Sequence, residues 1–140
     1  MHDPKQTQDQ IIDSFSLFSE WLDRYQYLID LGRKLPPQDD AEKTDDQLLA
    51  GCQSRVWLLL EGDAGRVTIR ANSDAAIVAG LIALLIQVYS GCSARQIVDT
   101  EPYFIRDIGL SDHLSLTRAN GLHAMLGAIK AHAQGLLHTV

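Results

Sequence analysis

The chain has two cysteines, and one stands in the run "GCQSRVW", residues 51–57, between a glycine and a short polar stretch that opens into an apolar segment. The residue types around Cys52 suit a reactive thiol. Gly51 leaves room beside the sulfur, Gln53 and Ser54 offer hydrogen-bond donors, and Arg55 supplies a positive charge that favours the thiolate where the backbone bends back on itself. An ordinary thiol with a pKa near 8.5 is only about 3% ionised at pH 7, so modest nearby positive charge multiplies the reactive fraction. The position, at a junction between a loop and a strand, is where functional residues concentrate. The other reading of Cys52 is a buried structural thiol, since free cysteine is among the most buried residue types.

Cys92, in "YSGCSARQI", lies just before a helix start, a place that also lowers a thiol's pKa. It stands either as a structural thiol or as a partner that resolves an oxidised Cys52, as in redox sensors. A disulfide framework and a structural zinc site are both excluded by two cysteines forty positions apart with no CxxC pair. A cysteine nucleophile of the papain kind needs a histidine base, for which His113 and His123 are the interior candidates, though such a histidine is more often an ordinary surface or satisfied one. His123, His132 and His138 are spaced by nine and six residues, which does not put neighbouring pairs on one helical face as metal ligation needs. "GCQSRVW" has too little glycine and no lysine for a phosphate loop.

Composition sets the class. Of 140 residues, 46% are hydrophobic and 21% charged, a globular balance that supports one domain spanning 1–140. A net charge of −6 and the absence of a basic block interleaved with aromatics argue against nucleic acid as a partner. The start, "MHDPKQTQDQ", has neither the basic nor the apolar region of a secretory signal, so the expected location is cytoplasmic. The longest apolar run, Ala75 to Ile86, is shorter than the roughly 20 residues a spanning helix needs, so no membrane association is expected.

The elements that must position Cys52 follow from periodicity. Ile11, Phe15, Phe18, Leu22, Tyr25 and Ile29 recur at helical spacing, as one helix or as two divided near Ser14, Ser16 and Ser19 with Ser19 capping the second. Gly32 suits a left-handed C-cap, and Pro36-Pro37 forbids continuation. Residues 36–50, acidic and proline-bearing, read as a surface connection. "RVWLLLE" and "RVTIRA" flank the turn residues "GDAG" and form an antiparallel hairpin across 55–71. Asn72-Ser73-Asp74 offers an N-cap for the apolar helix that follows, with Asp74 at its positive end. That helix is apolar all round, so it must be covered all round, and it stops near Ser90-Gly91. A short helix capped by Ser93, a further short element in "YFIRDIGL", and a last helix after Ser115 complete the chain. The last helix carries Leu116, Ala119, Leu122, Leu126, Ile129, Ala133 and Leu136 as one stripe. The fold class is α+β: a small antiparallel sheet with helices packed on one face. Any third strand would come from near residues 44–50 or elsewhere.

Four separated segments, "YLIDLGRKLP", "GCQSRVW", "SDAAIVAGLIALLI" and "IGLSDHLSLTRANGLHAMLGAIKAHA", occur in the order and spacing of the SufE family. The chain resembles SufE proteins over roughly residues 10–135, nearly its whole length. That resemblance implies a SufE/IscU-like fold and a sulfur acceptor of iron–sulfur cluster assembly. Such a protein takes sulfur from a pyridoxal-phosphate cysteine desulfurase of the SufS type, stimulates it, and passes the sulfur to a SufBCD-like scaffold, with no cofactor of its own and a homodimer allowed. Carried over by position, the acceptor is Cys52. Gly51, Gln53 and Ser54 complete its loop, with Arg55, Asp74 and Arg118 as supporting or partner-facing positions. The related CsdE proteins serve a sister desulfurase, but their acceptor motif typically has glutamate and asparagine where this chain has Gln53 and Ser54. The resemblance gives Cys92 no role. Sulfur exchange needs an ionisable and reachable thiol, so the resemblance implies a mobile loop, "AGCQSR", hinged at Gly51, that shelters Cys52 when idle. The other classes of function left by the residues are an autonomous thiol enzyme or peroxidatic redox sensor using Cys52 with Cys92, and a structural adaptor binding through the acidic connection.

Overall fold

The computed structural model describes residues 2–36, 49 and 55–138. Their elements run α1 (Pro4–Ser16), α2 (Trp21–Arg33), β1 (Val56–Asp63), β2 (Arg66–Ser73), α3 (Ala76–Tyr89), α4 (Ala94–Asp99), α5 (Tyr103–Asp107), α6 (Leu110–His113) and α7 (Leu116–His138). Among the described residues the sheet is the antiparallel pair β1–β2, in a register that sets Leu58 opposite Ala71, Leu60 opposite Ile69 and Gly62 opposite Val67. Residues directly opposite share a face. Buried Val67, Ile69 and Ala71 therefore put Leu58 and Leu60 on the same apolar side, where α3 meets β2 and α7 meets β1. The α+β class, with helices on one face of a small sheet, is what the structure contains.

At the centre lies α3. Ten of its residues, from Val78 to Tyr89, are buried, because α1, α2, α7 and the hairpin surround it. The tightest approach is α2 on α3. A Cβ added at Gly80 would lie 2.2 Å from the Leu28 carbonyl oxygen, and one at Gly32 would lie 2.7 Å from the Gly80 nitrogen. Gly32 is therefore required by helix contact. It is not the left-handed cap expected from sequence, since α2 runs on to Arg33 and its C-cap, Lys34, is right-handed.

The N-terminal region forms two helices, and the second is entered at Glu20 with no side-chain cap, so Ser19 does not serve that purpose. The first begins earlier than its apolar residues suggest. Asp3 caps α1 through the Lys5 and Gln6 amides, and Pro4 occupies the first turn, where its missing N–H costs nothing. The apolar spacing survives the break only in part, since Ile11 and Phe15 are core residues whereas Leu22 is 80% exposed and the buried apolar side chain of α2 is Leu28, not Ile29. Leu116 is likewise 78% exposed, and the inward stripe of α7 is Leu122, Met125, Ile129 and Ala133.

Two segments cover the outer edge of β2. Beyond α3, Gly91 turns the chain with φ +88°, its N–H donates to the Val67 carbonyl at 2.7 Å, and Val67 donates to the Cys92 carbonyl at 2.8 Å. Ala94 then donates to the Ala64 carbonyl at 2.9 Å, and Ser93 caps α4 in a reciprocal box with Gln96, as its sequence suggests. The last of these elements is tied to α7, where the Lys130 ammonium donates to the Ile97 and Thr100 carbonyls at 2.8 and 2.7 Å. This cation satisfies C-terminal carbonyls that α4 leaves unpaired. Its burial pulls the ammonium pKa below the usual lysine value.

Candidate functional site

Gly51, Cys52, Gln53 and Ser54, and the loop and hinge expected of them, lie outside the described residues, as do all but Leu49 of the candidate third-strand residues 44–50. The site is therefore built from its anchors. On one side, the Leu49 N–H donates to the Val56 carbonyl at 2.9 Å, holding Leu49 against the edge of β1 that faces away from β2. On the other, Arg55 is fastened to the end of β2. Its N–H donates to Asp74 Oδ1 at 3.2 Å, its carbonyl accepts the Ser73 hydroxyl at 2.6 Å, and it accepts the Asp74 N–H at 3.4 Å. Both chain ends flanking residues 50–54 are thus fixed at the open end of the hairpin.

Asp74 has a role that its sequence position concealed. It precedes an apolar helix and reads as a cap, yet α3 is entered at Ala75 with no side-chain cap bond. Its carboxylate reaches across the hairpin to the Arg55 amide instead. Ser73 serves both neighbours, its hydroxyl donating to the Arg55 carbonyl and accepting from the Ala75 N–H at 3.2 Å. Because the hairpin register puts Ser73 opposite Val56, the next residues out on each strand, Asp74 and Arg55, must meet. Arg118 lies exposed in the first turn of α7, its N–H donating to the Ser115 hydroxyl at 3.3 Å. No described contact joins it to Arg55 or Asp74.

Cys92 has the opposite environment. It is wholly buried, its thiol donates to the Val88 carbonyl at 3.4 Å, and that same carbonyl accepts from His2 Nε2 at 2.9 Å. Burial, with the Asp3 charge as a smaller contribution, pushes its pKa up to about 11, so at pH 7 it is a thiol. A pairing of His113 or His123 with Cys52 falls outside the described residues, and the described surroundings of the histidines differ. His113 is exposed and stacks on Trp21, His123 lines the rim of a cleft of about 130 Å³ beside Ser111 and Leu126, and His138 is exposed. The Nε2 of His132 is buried without a hydrogen-bond partner among the described residues. Among those residues no three histidine, cysteine or carboxylate side chains converge as metal ligands, and no helix is long and apolar enough to cross a membrane.

The comparison that decides the family covers most of the chain: the model of SufE, the Fe–S metabolism associated domain, matches residues 9–133. This protein belongs to the SufE family. An uncharacterized SufE-like protein of Rhizobium meliloti (strain 1021) is 44% identical, with 92% of this chain and 96% of that one covered. In three dimensions the chain is similar to the solution structure of a hypothetical protein from Thermus thermophilus, with a TM-score of 0.75, 23% identity, and 95% and 97% of the two chains covered. That likeness speaks for the fold alone. A role in iron–sulfur metabolism follows from the family, and the anchored ends of residues 50–54 flank Cys52 in the chain.

Proposed function

We propose that this protein is a sulfur acceptor and activator of a pyridoxal-phosphate cysteine desulfurase of the SufS type. It takes persulfide sulfur onto Cys52 and hands it to an iron–sulfur cluster scaffold of the SufBCD type. The carrying observation is the SufE match across 9–133, within which Cys52 stands in the Gly51-Cys52-Gln53-Ser54 run.

The transfer is an exchange between sulfurs. The Cys52 thiolate attacks the outer sulfur of the desulfurase persulfide, the S–S bond of that persulfide breaks, and the enzyme's cysteine leaves as a thiolate. A persulfide on Cys52 results, with no net oxidation and no cofactor held by this chain. The Arg55 amide clasped by Asp74 holds the exit of the acceptor segment on β1. In this reading Gln53 and Ser54, next to Cys52 in the sequence, serve as hydrogen-bond donors, Gly51 as clearance, and Arg118 as a partner contact. The place of action is the cytoplasm. Burial and a raised pKa at Cys92 count against a redox sensor in which it resolves Cys52.

The test is direct. Incubated with a cysteine desulfurase and free cysteine, the protein gains one sulfur atom by intact mass and raises desulfurase turnover. Cys52→Ser gains none and stimulates nothing, whereas Cys92→Ala does both. Unchanged mass and unchanged turnover with the wild-type chain would sink the proposal, and a peroxide-driven bond between Cys52 and Cys92 would replace it with the sensor.

A further inference from the structure

Two cysteines in one small domain raise the question of how a sulfur carried on one of them leaves. A persulfide on Cys52 contains an S–S bond, and a thiolate can attack either of its sulfurs. Attack by a Cys92 thiolate on the inner sulfur would join the two cysteines in a disulfide and expel the outer sulfur as hydrosulfide. The reduction of that sulfur would be matched by oxidation of the two thiols. A carrier built that way would discharge itself as free sulfide.

The fold holds Cys92 out of reach of such a reaction. Its carbonyl accepts the Val67 N–H at 2.8 Å, Gly91 donates to the Val67 carbonyl at 2.7 Å and Ala94 to the Ala64 carbonyl at 2.9 Å, so the backbone on both sides of Cys92 is tied to the turn end of the hairpin. Arg55 is fastened at the open end, to Ser73 and Asp74. Val67 and Ser73 stand six residues apart along β2, about 20 Å at roughly 3.3 Å per residue. Cys52 precedes Arg55 by three residues, which span at most about 11 Å when fully extended. Whatever path the chain takes between them, a gap of roughly 9 Å remains between the Cα atoms of Cys52 and Cys92, wider than the roughly 7 Å a disulfide can bridge. The Cys92 thiol is also wholly buried and donates to the Val88 carbonyl at 3.4 Å, which leaves it without a line of attack.

We infer that sulfur held on Cys52 is never discharged within this chain and leaves only when the thiolate of another molecule attacks its outer sulfur. This rests on the sulfur-carrier reading and adds the class of reaction that must consume the product. In that step the attacking thiolate gains the outer sulfur as a persulfide, the S–S bond at Cys52 breaks, and Cys52 leaves as a thiolate with no net oxidation. Making sulfide takes two electrons more, supplied by a dithiol or a hydride donor after the sulfur has left this chain. The placement of Cys92 thus lets a chain with two cysteines work as a carrier with one.

The full chain is loaded by a SufS-type desulfurase with pyridoxal phosphate and free cysteine, separated from both under nitrogen, and followed by intact mass and free sulfide. Native protein without added thiol should keep its sulfur and release no sulfide. In urea, sulfide should appear together with a Cys52–Cys92 bond at least about a hundredfold faster than in native protein. Cys92→Ala should form no such bond in either state. Internal discharge of the native wild-type chain at the unfolded rate overturns the inference and leaves the carrier reading standing. A second arm needs no sulfur: diamide, a thiol oxidant, should bond Cys52 to Cys92 within one chain only after unfolding, and that bond in native protein overturns the inference as well. A wild-type chain that takes no sulfur overturns the carrier reading, and this inference with it.

Discussion

The two ends of the hairpin hold the chain in different ways. At the turn end, Gly91 and Cys92 are joined to Val67 of β2 by backbone bonds, Ala94 is bonded to Ala64 in the turn, and Cys92 is sealed among core side chains. At the open end, Arg55 and Asp74 meet through exposed groups, one of them a side-chain carboxylate. Backbone bonds beneath a packed core open only when much of the domain opens, whereas an exposed carboxylate bond exchanges with water at little net cost. One end of a two-stranded unit is thus built to stay shut. The other is fastened by bonds that can be released without disturbing the core, which suits the flank of the segment proposed to receive sulfur.

The largest contrast should appear in thiol chemistry. With its pKa pushed up to about 11 from 9.0, Cys92 has a thiolate fraction about a hundredfold below that of the same thiol in the unfolded chain. Steric burial adds to this. Iodoacetamide at pH 8 should therefore label Cys92 only after denaturation, as read by peptide mass mapping. Labelling of native Cys92 at the denatured rate would erase the distinction between the two ends. The same shift makes a statement about stability. The folded state holds the Cys92 proton more tightly than the unfolded chain, so this contribution is complete below pH 9 and is lost as pH rises through about 11. The extra stability of wild type over Cys92→Ala should shrink across that window in urea titrations.

A second break aims at the turn. Gly62 has φ +101°, and a Cβ there would lie 2.1 Å from the Arg66 carbonyl oxygen, so any side chain must distort the hairpin. Gly62→Ala should cost about 2 kcal/mol from the left-handed conformation and the overlap together. Gly91 is also left-handed, at φ +88°, but a Cβ there meets nothing within 4 Å. Gly91→Ala should therefore cost less, about 1 kcal/mol. Equal losses in the two variants would show that conformation alone, and not contact, governs this end.

How much of this can be read in the sequence depends on which interactions are local. The hairpin is legible because "GDAG" between two β-rich runs carries its own turn chemistry, and α4 because Ser93 and Gln96 form a local box. Asp3-Pro4 is an equally local signal for α1, hidden because the residues after it are polar and no apolar period announces a helix. Gly32 and Asp74 mislead for another reason. Each stands where a local rule predicts a cap, and each is taken over by a residue distant in sequence, Gly80 for one and Arg55 for the other. Leu22 and Leu116 fit helical stripes, but periodicity names a face without saying what covers it. At the site, the motif that marks Cys52 can be read directly, whereas the fastening of Arg55 to Asp74 depends on hairpin register, which a single strand's pattern does not carry.

The smallest expected effects lie at the open end. Asp74→Ala removes a 3.2 Å bond from the Arg55 N–H to a carboxylate, but both groups are exposed and water replaces the acceptor. Global stability should fall by less than about 1 kcal/mol. Ser73→Ala removes two bonds, to the Arg55 carbonyl and from the Ala75 N–H, the second of which assists entry into α3, so its cost should be the larger, about 1 kcal/mol. The more telling measurement is amide hydrogen exchange. In Asp74→Ala the Arg55 N–H should exchange faster while the Val67 N–H, bonded to Cys92 at the other end, keeps its wild-type protection. Faster exchange at both positions would mean that the hairpin opens as one unit, and the difference between its ends would then be one of exposure without independent release.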